Sequence, residues 1–230
     1  MATYLVTGTN RGIGLEFVEQ LIQRGDEILA TCRNIDTALE LKQLHITYAD
    51  LHLLELDLSQ PESLHNFANQ LKGAAIDVFI NNAGVYGPKN VEFGTVNRRV
   101  WAQVFQVNTI APLLLTQALE DNFKRGNDKK LVYISSKVGS IDDNRGGGGY
   151  IYRSSKTALN QVVKSLSIDL YEDGFIATAL HPGWVLTEMG GPNALISPST
   201  SVSGMLQVID GLTLEQSGCF INYDGTEIPW

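Results

Sequence analysis

Seven short stretches of the chain are almost continuously apolar, and longer stretches of mixed polarity separate them. Runs of this kind are typical of strands that are buried on both faces. They predict strands at residues 4–6, 27–31, 51–56, 76–80, 130–134, 175–180 and 219–221. We find no internal repeat, and the only low-complexity tract is the glycine run at 146–149.

The segments between these runs read as helices, at residues 12–24, 36–44, 61–71, 98–123 and 151–171. Alternating strands and helices require right-handed crossovers and a parallel sheet with helices on both faces. The expected fold is therefore α/β: a single-domain Rossmann-type doubly wound parallel sheet over residues 1–230. We expect a nucleotide-binding half at about 1–90 and a catalytic and substrate half at about 91–230, with ligands at the carboxyl ends of the strands.

Composition narrows the choice of partner. The 230 residues are 43% apolar and carry a formal net charge of -8. Nucleic acids and anionic membranes select clustered lysine and arginine, so we expect neither as a partner. Cys32 and Cys219 are the only cysteines, which leaves no disulfide framework. The chain also lacks a signal-peptide pattern and an apolar run of about 18 residues, so we expect a cytoplasmic protein.

The chain contains none of the common sequence motifs of metal sites or of serine hydrolases. His45, His52, His65 and His181 show no H-x-x-x-H spacing, and no C-x-x-C pair occurs. No G-x-S-x-G sequence presents a nucleophilic serine. The acidic, glycine-rich stretch 142–149 makes a poor rigid cage for a cation. We expect no metal site, and we expect 142–149 to be a mobile edge of the substrate cleft.

A glycine turn, T-G-T-N-R-G-I-G at residues 7–14, follows the first predicted strand and opens a helix. Glycine lets the backbone approach a ligand, and the free N–H groups and positive dipole end of a helix favour a pyrophosphate. The spacing is G-x-x-x-G-x-G rather than the G-x-G-x-x-G of the general dinucleotide fingerprint. A purely structural glycine turn is the alternative.

The end of the second strand bears on which dinucleotide is bound. An NAD site usually places an acid there to hold the ribose 2′-hydroxyl, but this segment reads Thr31-Cys32-Arg33-Asn34, with no acid before Asp36. Arg33 offers a planar donor fork for a 2′-phosphate, and Arg11 in the glycine turn adds a second cation. These residues favour NADP (NADPH) over NAD. The alternative is that Arg33 is an ordinary solvated loop residue.

Tyr152 and Lys156 stand four residues apart in a predicted helix, so both lie on one face. A cation within about 4–6 Å lowers the pKa of a phenol by roughly 1–3 units, which makes it a usable proton donor near neutral pH. A surface pair on an amphipathic helix is the alternative. Tyr150 lacks such a partner, because Ser154 stands four residues after it.

Five separated motifs resemble those of the short-chain dehydrogenase/reductase family, over Thr7 to at least Thr187. They are Thr7-Gly8-x-x-x-Gly12-x-Gly14, Asn81-Asn82-Ala83-Gly84, Asn108, Ser136 and Tyr152-x-x-x-Lys156, with Pro182-Gly183 after the sixth strand. More narrowly, the chain resembles the branch of sniffer-type carbonyl reductases and C-factor-like proteins, through His181-Pro182-Gly183-Trp184-Val185 and Tyr223-Asp224-Gly225.

The resemblance implies a set of cofactor contacts, with Asp57 at the adenine amino group and Pro182, Gly183, Val185 and Thr187 at the nicotinamide. The implied cofactor-binding residues are Gly8, Asn10, Arg11, Gly12, Ile13, Gly14, Arg33, Asp57, Leu58, Asn81, Ala83, Gly84, Tyr152, Lys156, Pro182, Gly183, Val185 and Thr187.

The resemblance also implies a catalytic set of Asn108, Ser136, Tyr152 and Lys156. Tyr152 donates a proton to a carbonyl oxygen, Lys156 tunes it and binds the nicotinamide ribose, and Ser136 stabilises the developing charge. Asn108 breaks its helix locally and holds a water that re-protonates the lysine. We prefer Ser136 to the adjacent Ser135, because successive strand side chains point to opposite faces.

The expected function is therefore NADPH-dependent reduction of an aldehyde or ketone, with a small-molecule carbonyl substrate. An NAD-dependent alcohol dehydrogenase and a nucleotide-binding signalling protein of the C-factor type are the alternatives. Tyr86, Tyr150, Trp184 and Met189 predict an apolar, aromatic-lined substrate cleft. We also expect a homodimer or homotetramer formed through the helices at 98–123 and 151–171, as the resemblance implies.

Overall fold

A single parallel sheet forms the centre of the protein. The computed structural model describes all 230 residues and orders the seven strands β3-β2-β1-β4-β5-β6-β7. They are β1 (Thr3–Thr7), β2 (Glu27–Cys32), β3 (Leu51–Glu55), β4 (Val78–Asn81), β5 (Lys130–Ile134), β6 (Ile176–His181) and β7 (Phe220–Asn222). The predicted doubly wound Rossmann-type sheet is confirmed, and every predicted strand is present.

Eight α-helices connect and cover the strands. They are α1 (Gly12–Gln23), α2 (Leu39–Thr47), α3 (Pro61–Gln70), α4 (Arg98–Phe105), α5 (Ala111–Ala118), α6 (Glu120–Arg125), α7 (Tyr150–Asp169) and α8 (Pro198–Gly211). None of them combines the length and the apolar composition that a membrane span needs.

The core lies in two layers, one on each face of the sheet. One cluster of 25 buried residues joins α1, α2 and α8 to the strands, and includes Phe17 and Met205. The other cluster, of 23 residues, lies beneath α3, α5, α6 and α7, and includes Phe67, Phe79 and Phe123. Burying each such side chain contributes about 1.5–3 kcal/mol, so both faces hold the strands in register.

The single continuous helix predicted at 98–123 is interrupted in the structure. It begins at Arg98 as expected, but a π-helical segment, Gln106–Ile110, separates α4 from α5, and α6 follows after Leu119. Pro112 has no N–H, so the α-helical hydrogen bond to the carbonyl of Asn108 cannot form. The helix is therefore widened at Asn108, which confirms the local break that the resemblance implies at this residue.

Helix α8 was not predicted. Its buried face is formed by Val202, Met205, Leu206 and Ile209, at helical spacing. Ser197 caps its first turn, because its hydroxyl accepts a hydrogen bond from the amide of Thr200. Serines and glycines between the apolar positions weaken the helical signal in this stretch.

Candidate active site

A cleft of about 670 Å³ opens at the carboxyl edge of the sheet, where the strand order reverses between β1 and β4. This is the expected place for a ligand in a doubly wound sheet. Most predicted cofactor residues line it, namely Gly8, Asn10, Arg11, Gly12, Ile13, Gly14, Arg33, Asp57, Leu58, Ala83, Gly84, Tyr152, Lys156, Pro182 and Thr187.

The glycine turn packs too closely for side chains at two of its positions. Gly8 has a φ of +70°, and a Cβ there would lie 2.9 Å from the Cα of Ala83. A Cβ on Gly14 would overlap the carbonyl oxygen of Gly8. Glycine is therefore required at both positions for the turn to fold back on itself and lie against the loop after β4.

Asn82 braces this turn. Its Nδ2 donates to the carbonyls of Thr7 and Gly8, at 2.9 and 3.1 Å. The amide of Ala83 donates to Oγ1 of Thr7 at 3.0 Å. The residues after β4 thus fix the end of β1, which explains why an Asn-Asn-Ala-Gly sequence accompanies the glycine turn.

Asn81 does not line the cleft as predicted. It is the last residue of β4, and its side chain is buried with its oxygen lacking a hydrogen-bond partner. Successive residues at a strand end point to opposite sides, so Asn82 faces the glycine turn and Asn81 does not. Of the two asparagines in the motif, Asn82 therefore lines the cleft, whereas the prediction chose Asn81.

The start of α1 suits an anion. Arg11 is the N-cap residue, but no side chain caps the helix and its first turn contains no acidic residue. The amides of the first turn are therefore available to a ligand, and the positive end of the dipole points at the cleft. The turn fits the pyrophosphate of a dinucleotide.

Two arginines flank the cleft near the end of β2, in different situations. Arg33 is exposed and makes no ion pair, whereas Arg11 pairs with Glu188 at 3.2 Å between Nη1 and Oε2. Asp36, the nearest acid after β2, pairs with Lys42 at 3.6 Å and does not line the cleft. Arg33 is therefore free to bind the 2′-phosphate of NADP. Arg11 can do so only if its ion pair with Glu188 breaks.

Tyr152 and Lys156 both reach the cleft from α7. The ammonium of Lys156 lies 5.9 Å from the centre of the Tyr152 ring and donates to the carbonyl of Ile134 at 2.8 Å. Burial lowers the pKa of Lys156 to about 8. The two side chains lie together as the i and i+4 spacing predicts.

The pKa of Tyr152 does not change in the predicted direction. Burial raises it above the ordinary value of a phenol, and the nearby Tyr86 raises it further. The nearby hydroxyl of Ser136 partly offsets this rise. Burial therefore sets the direction of the change, which is opposite to the lowering expected from Lys156, and the phenol keeps its proton at neutral pH.

The two candidate serines point in different directions. The hydroxyl of Ser135 is buried and donates to Oδ1 of Asn160 at 2.5 Å. Ser136 caps the 3₁₀ turn Lys137–Gly139, where its hydroxyl accepts from the amide of Val138, and it also meets the phenol of Tyr152. Ser136 is therefore the serine beside the phenol of Tyr152, although Ser135 and not Ser136 is among the residues that line the cleft.

Asn108 lies behind the cleft and does not line it. Its Oδ1 accepts from the amide of Val85 at 2.9 Å, and its Nδ2 donates to the carbonyl of Val85 at 2.8 Å and to Oγ of Ser155 at 3.0 Å. Both amide protons are bonded to protein atoms, and the water that the resemblance implies at Asn108 stays a prediction. Asn108 joins the loop after β4 to helix α7.

Two predicted nicotinamide contacts also lie away from the cleft. Gly183 has a φ of +82°, and its Cα faces Ile196 and Tyr223. Val185 is buried and forms an isolated parallel bridge with Ile196. Both residues hold the segment after β6 in place, while Leu186, Thr187, Glu188 and Met189 reach the cleft. The glycine-rich stretch 142–149, Tyr150 and Trp184 do not line it either.

Asn82 and Glu188 are two of the cleft residues that the sequence prediction missed. Asn82 belongs to the Asn81-Asn82-Ala83-Gly84 motif, but the prediction assigned the cofactor contact to Asn81 and not to Asn82. Glu188 belongs to no pattern, and only the fold brings it to Arg11.

Comparisons with known proteins show the family to which this chain belongs. The family model for short chain dehydrogenase matches residues 2–194. The chain belongs to the short-chain dehydrogenase family. Its C-signal relative in Myxococcus xanthus is 45% identical over 164 residues, which cover 71% of this chain and 98% of that protein. The resemblance that the five motifs indicated is confirmed, and the chain is an oxidoreductase of this family.

Two solved structures of carbonyl reductases superpose over the whole chain. The carbonyl reductase Sniffer of D. melanogaster has a TM-score of 0.94 and 35% identity, covering 100% of both chains. The NADPH-bound carbonyl reductase from chicken fatty liver has a TM-score of 0.93 and 36% identity, covering 100% of this chain and 99% of that one. Sniffer-type carbonyl reductases are thus structural neighbours of this protein.

Proposed function

We propose that this protein reduces aldehyde or ketone carbonyls to alcohols and uses NADPH as the reductant. One observation carries the proposal: the phenol of Tyr152, with Ser136 and Lys156 beside it, lies in the same cleft as the glycine turn and the unpaired Arg33. When bound, the dinucleotide supplies a hydride. A positioned acid, a hydrogen-bond donor and an ammonium group supply the rest of the chemistry of a reductase.

Tyr152 supplies the proton. Its raised pKa keeps the hydroxyl protonated at neutral pH. The phenol can therefore give this proton to a carbonyl oxygen as negative charge develops on that oxygen. Ser136 donates a hydrogen bond to the same oxygen and stabilises that charge. Lys156, with a pKa of about 8, remains mostly protonated at neutral pH and restores the proton of the phenol.

Arg33 supports NADPH rather than NADH as the reductant. It is an exposed and unpaired arginine at the end of β2, where an NAD site uses an acid. Its planar fork suits two hydrogen bonds to a phosphate. The NADPH named for the chicken carbonyl reductase agrees with this choice.

A nucleotide-binding signalling protein is the second candidate, because the C-signal relative is 45% identical to part of this chain. An NAD-dependent alcohol dehydrogenase is less well supported, since the end of β2 has no acid. Measurable reduction of a carbonyl compound distinguishes an enzyme from a signalling protein that only binds the nucleotide.

A panel of aldehydes, quinones and ketones, assayed with NADPH and with NADH, tests the proposal. We expect oxidation of one NADPH per alcohol formed with at least one compound class, and weaker activity with NADH. Cofactor binding without turnover of any compound would favour the signalling function. Faster turnover with NADH would refute the role of Arg33.

A further inference from the structure

Tyr86 has the closest contact with the reactive phenol of any aromatic side chain. It comes two residues after Gly84, and its ring stacks on that of Tyr152 with centroids 4.4 Å apart and planes inclined by 27°. The side chain of Tyr86 is 38% exposed and lines the cleft. One part of its ring therefore covers Tyr152, while the rest faces the space where a substrate enters.

The backbone before Tyr86 is held in place. The main-chain N–H and C=O of Val85 both form hydrogen bonds with the side chain of Asn108. Nδ2 of Asn108 also donates to Oγ of Ser155. Ser155 in turn donates to the carbonyl of Tyr152 at 2.8 Å. A continuous chain of hydrogen bonds thus runs from the residue before Tyr86 to the backbone of Tyr152. This chain fixes the separation of the two rings.

We propose that Tyr86 is a positioning residue, whose ring holds the phenol of Tyr152 in its reactive orientation and shields it from water. The proposal rests on the carbonyl reductase function proposed above, and adds a residue that acts through Tyr152. Aromatic rings that stack at a centroid separation of 4.4 Å attract each other beyond the effect of area burial. The stack restricts rotation of the phenol ring while leaving its hydroxyl beside Ser136.

The surroundings of the phenol contain few other charged groups. Tyr86 and Lys156 are the titratable side chains that meet Tyr152, and Ser136 is its hydrogen-bonding neighbour. Removing the Tyr86 ring admits water to the phenol, which favours the phenolate and lowers its pKa. The pH profile of turnover therefore reports on the stack.

The variants Tyr86→Phe and Tyr86→Leu separate stacking from simple pocket lining. Phe keeps the ring, and we expect its kcat to lie within about twofold of wild type. Leu keeps an apolar wall without the stack, and we expect kcat to fall about tenfold for carbonyl compounds of different shapes, with the alkaline limb of the kcat profile moved to lower pH. Tyr48→Leu, at a comparably exposed position far from the cleft, is the control.

Opposite results would overturn the proposal. If Tyr86→Leu changes only KM, by amounts that differ between substrates, and leaves kcat and its pH profile unchanged, Tyr86 is a pocket wall and nothing more. NADPH dissociation constants and unfolding curves for each variant exclude loss of cofactor binding or of folding as the cause.

A spectroscopic measurement tests the stack even if no carbonyl compound is reduced. Labelling with 3-fluorotyrosine gives each tyrosine a ¹⁹F resonance, and Tyr152→Phe identifies that of Tyr152. We expect this resonance to titrate at lower pH in Tyr86→Leu than in wild type. An unchanged titration would refute the shielding role, whatever the outcome for the proposed function.

Discussion

The ammonium of Lys156 donates a hydrogen bond to the main-chain carbonyl of Ile134, with 2.8 Å between the two atoms. Ile134 ends β5 and stands two residues before Ser136, so one contact joins helix α7 to the strand that delivers the serine. Lys156 is buried, and this carbonyl is its only hydrogen-bond partner in the structure. The remaining two protons of the ammonium are available to a ligand in the cleft.

Stability should depend on pH through Lys156. Burial holds its pKa in the folded protein at about 8, below the ordinary 10.5, so the unfolded state binds more protons between these values. The penalty for burying the charge is fully present below about pH 8 and is lost as the pH rises further. From about pH 7 to about pH 9.5, wild type should gain roughly 2 kcal/mol in unfolding free energy relative to Lys156→Met.

Urea unfolding of both proteins at these two pH values checks this difference. The comparison cancels the titration of every group that does not interact with Lys156. Equal pH dependence in the two proteins would mean that Lys156 titrates normally.

Arg33 should decide between the two dinucleotides. Arg33→Ala should weaken NADPH binding about 10- to 100-fold, because a charge-assisted hydrogen bond contributes roughly 1.5–3 kcal/mol. NADH binding should change by less than about twofold, since NADH carries no 2′-phosphate. Fluorescence titration measures both constants, with Arg99→Ala as an exposed control outside the cleft. Equal losses for both cofactors would place Arg33 elsewhere than at the 2′-phosphate.

Glu188 should compete with a phosphate for Arg11. Its ion pair with Arg11 is exposed on both sides, and such pairs contribute about 0–1 kcal/mol. Glu188→Gln should therefore strengthen NADPH binding by no more than about fivefold, and the gain should vanish when Arg11 is also replaced by Ala. A gain that persists without Arg11 would show that Glu188 acts by simple charge repulsion.

Gly14 should tolerate no side chain. A Cβ would overlap the carbonyl of Gly8, and backbone cannot give way as a flexible side chain can. We expect Gly14→Ala to lose roughly 1–3 kcal/mol of stability and to weaken dinucleotide binding. Gly146→Ala is the matched control, since nothing lies within 4 Å of its added Cβ. Thermal unfolding and NADPH titration distinguish the two; similar behaviour would mean that the turn can relax.

The sheet was predictable from the sequence for a clear reason. Its strands are buried on both faces, so each appears as a short apolar run that polarity alone reveals. The glycine turn, the Asn-Asn-Ala-Gly sequence and Pro182-Gly183 followed from the same regularity, because each comes at or directly after the end of a strand, whereas Tyr152 and Lys156 lie in helix α7. Helix α8 was not predicted because its serines and glycines interrupt the helical spacing of its apolar residues.

The details of the site depend on three-dimensional packing. Which of Asn81 and Asn82 faces the glycine turn is set by where β4 ends, one residue later than predicted. The direction of the pKa change at Tyr152 depends on how deeply the phenol is buried, and the spacing to Lys156 carries no information about that. The stack with Tyr86 joins residues that are far apart in sequence.

The most direct test of carbonyl reduction at Tyr152 compares wild type with Tyr152→Phe under equal NADPH saturation. The phenylalanine keeps the ring and its stack with Tyr86 but has no proton to give. With a carbonyl compound that wild type reduces, NADPH oxidation should slow by at least about 100-fold, while the NADPH dissociation constant stays within about threefold. Turnover by Tyr152→Phe close to that of wild type would contradict the assignment of Tyr152 as the proton donor.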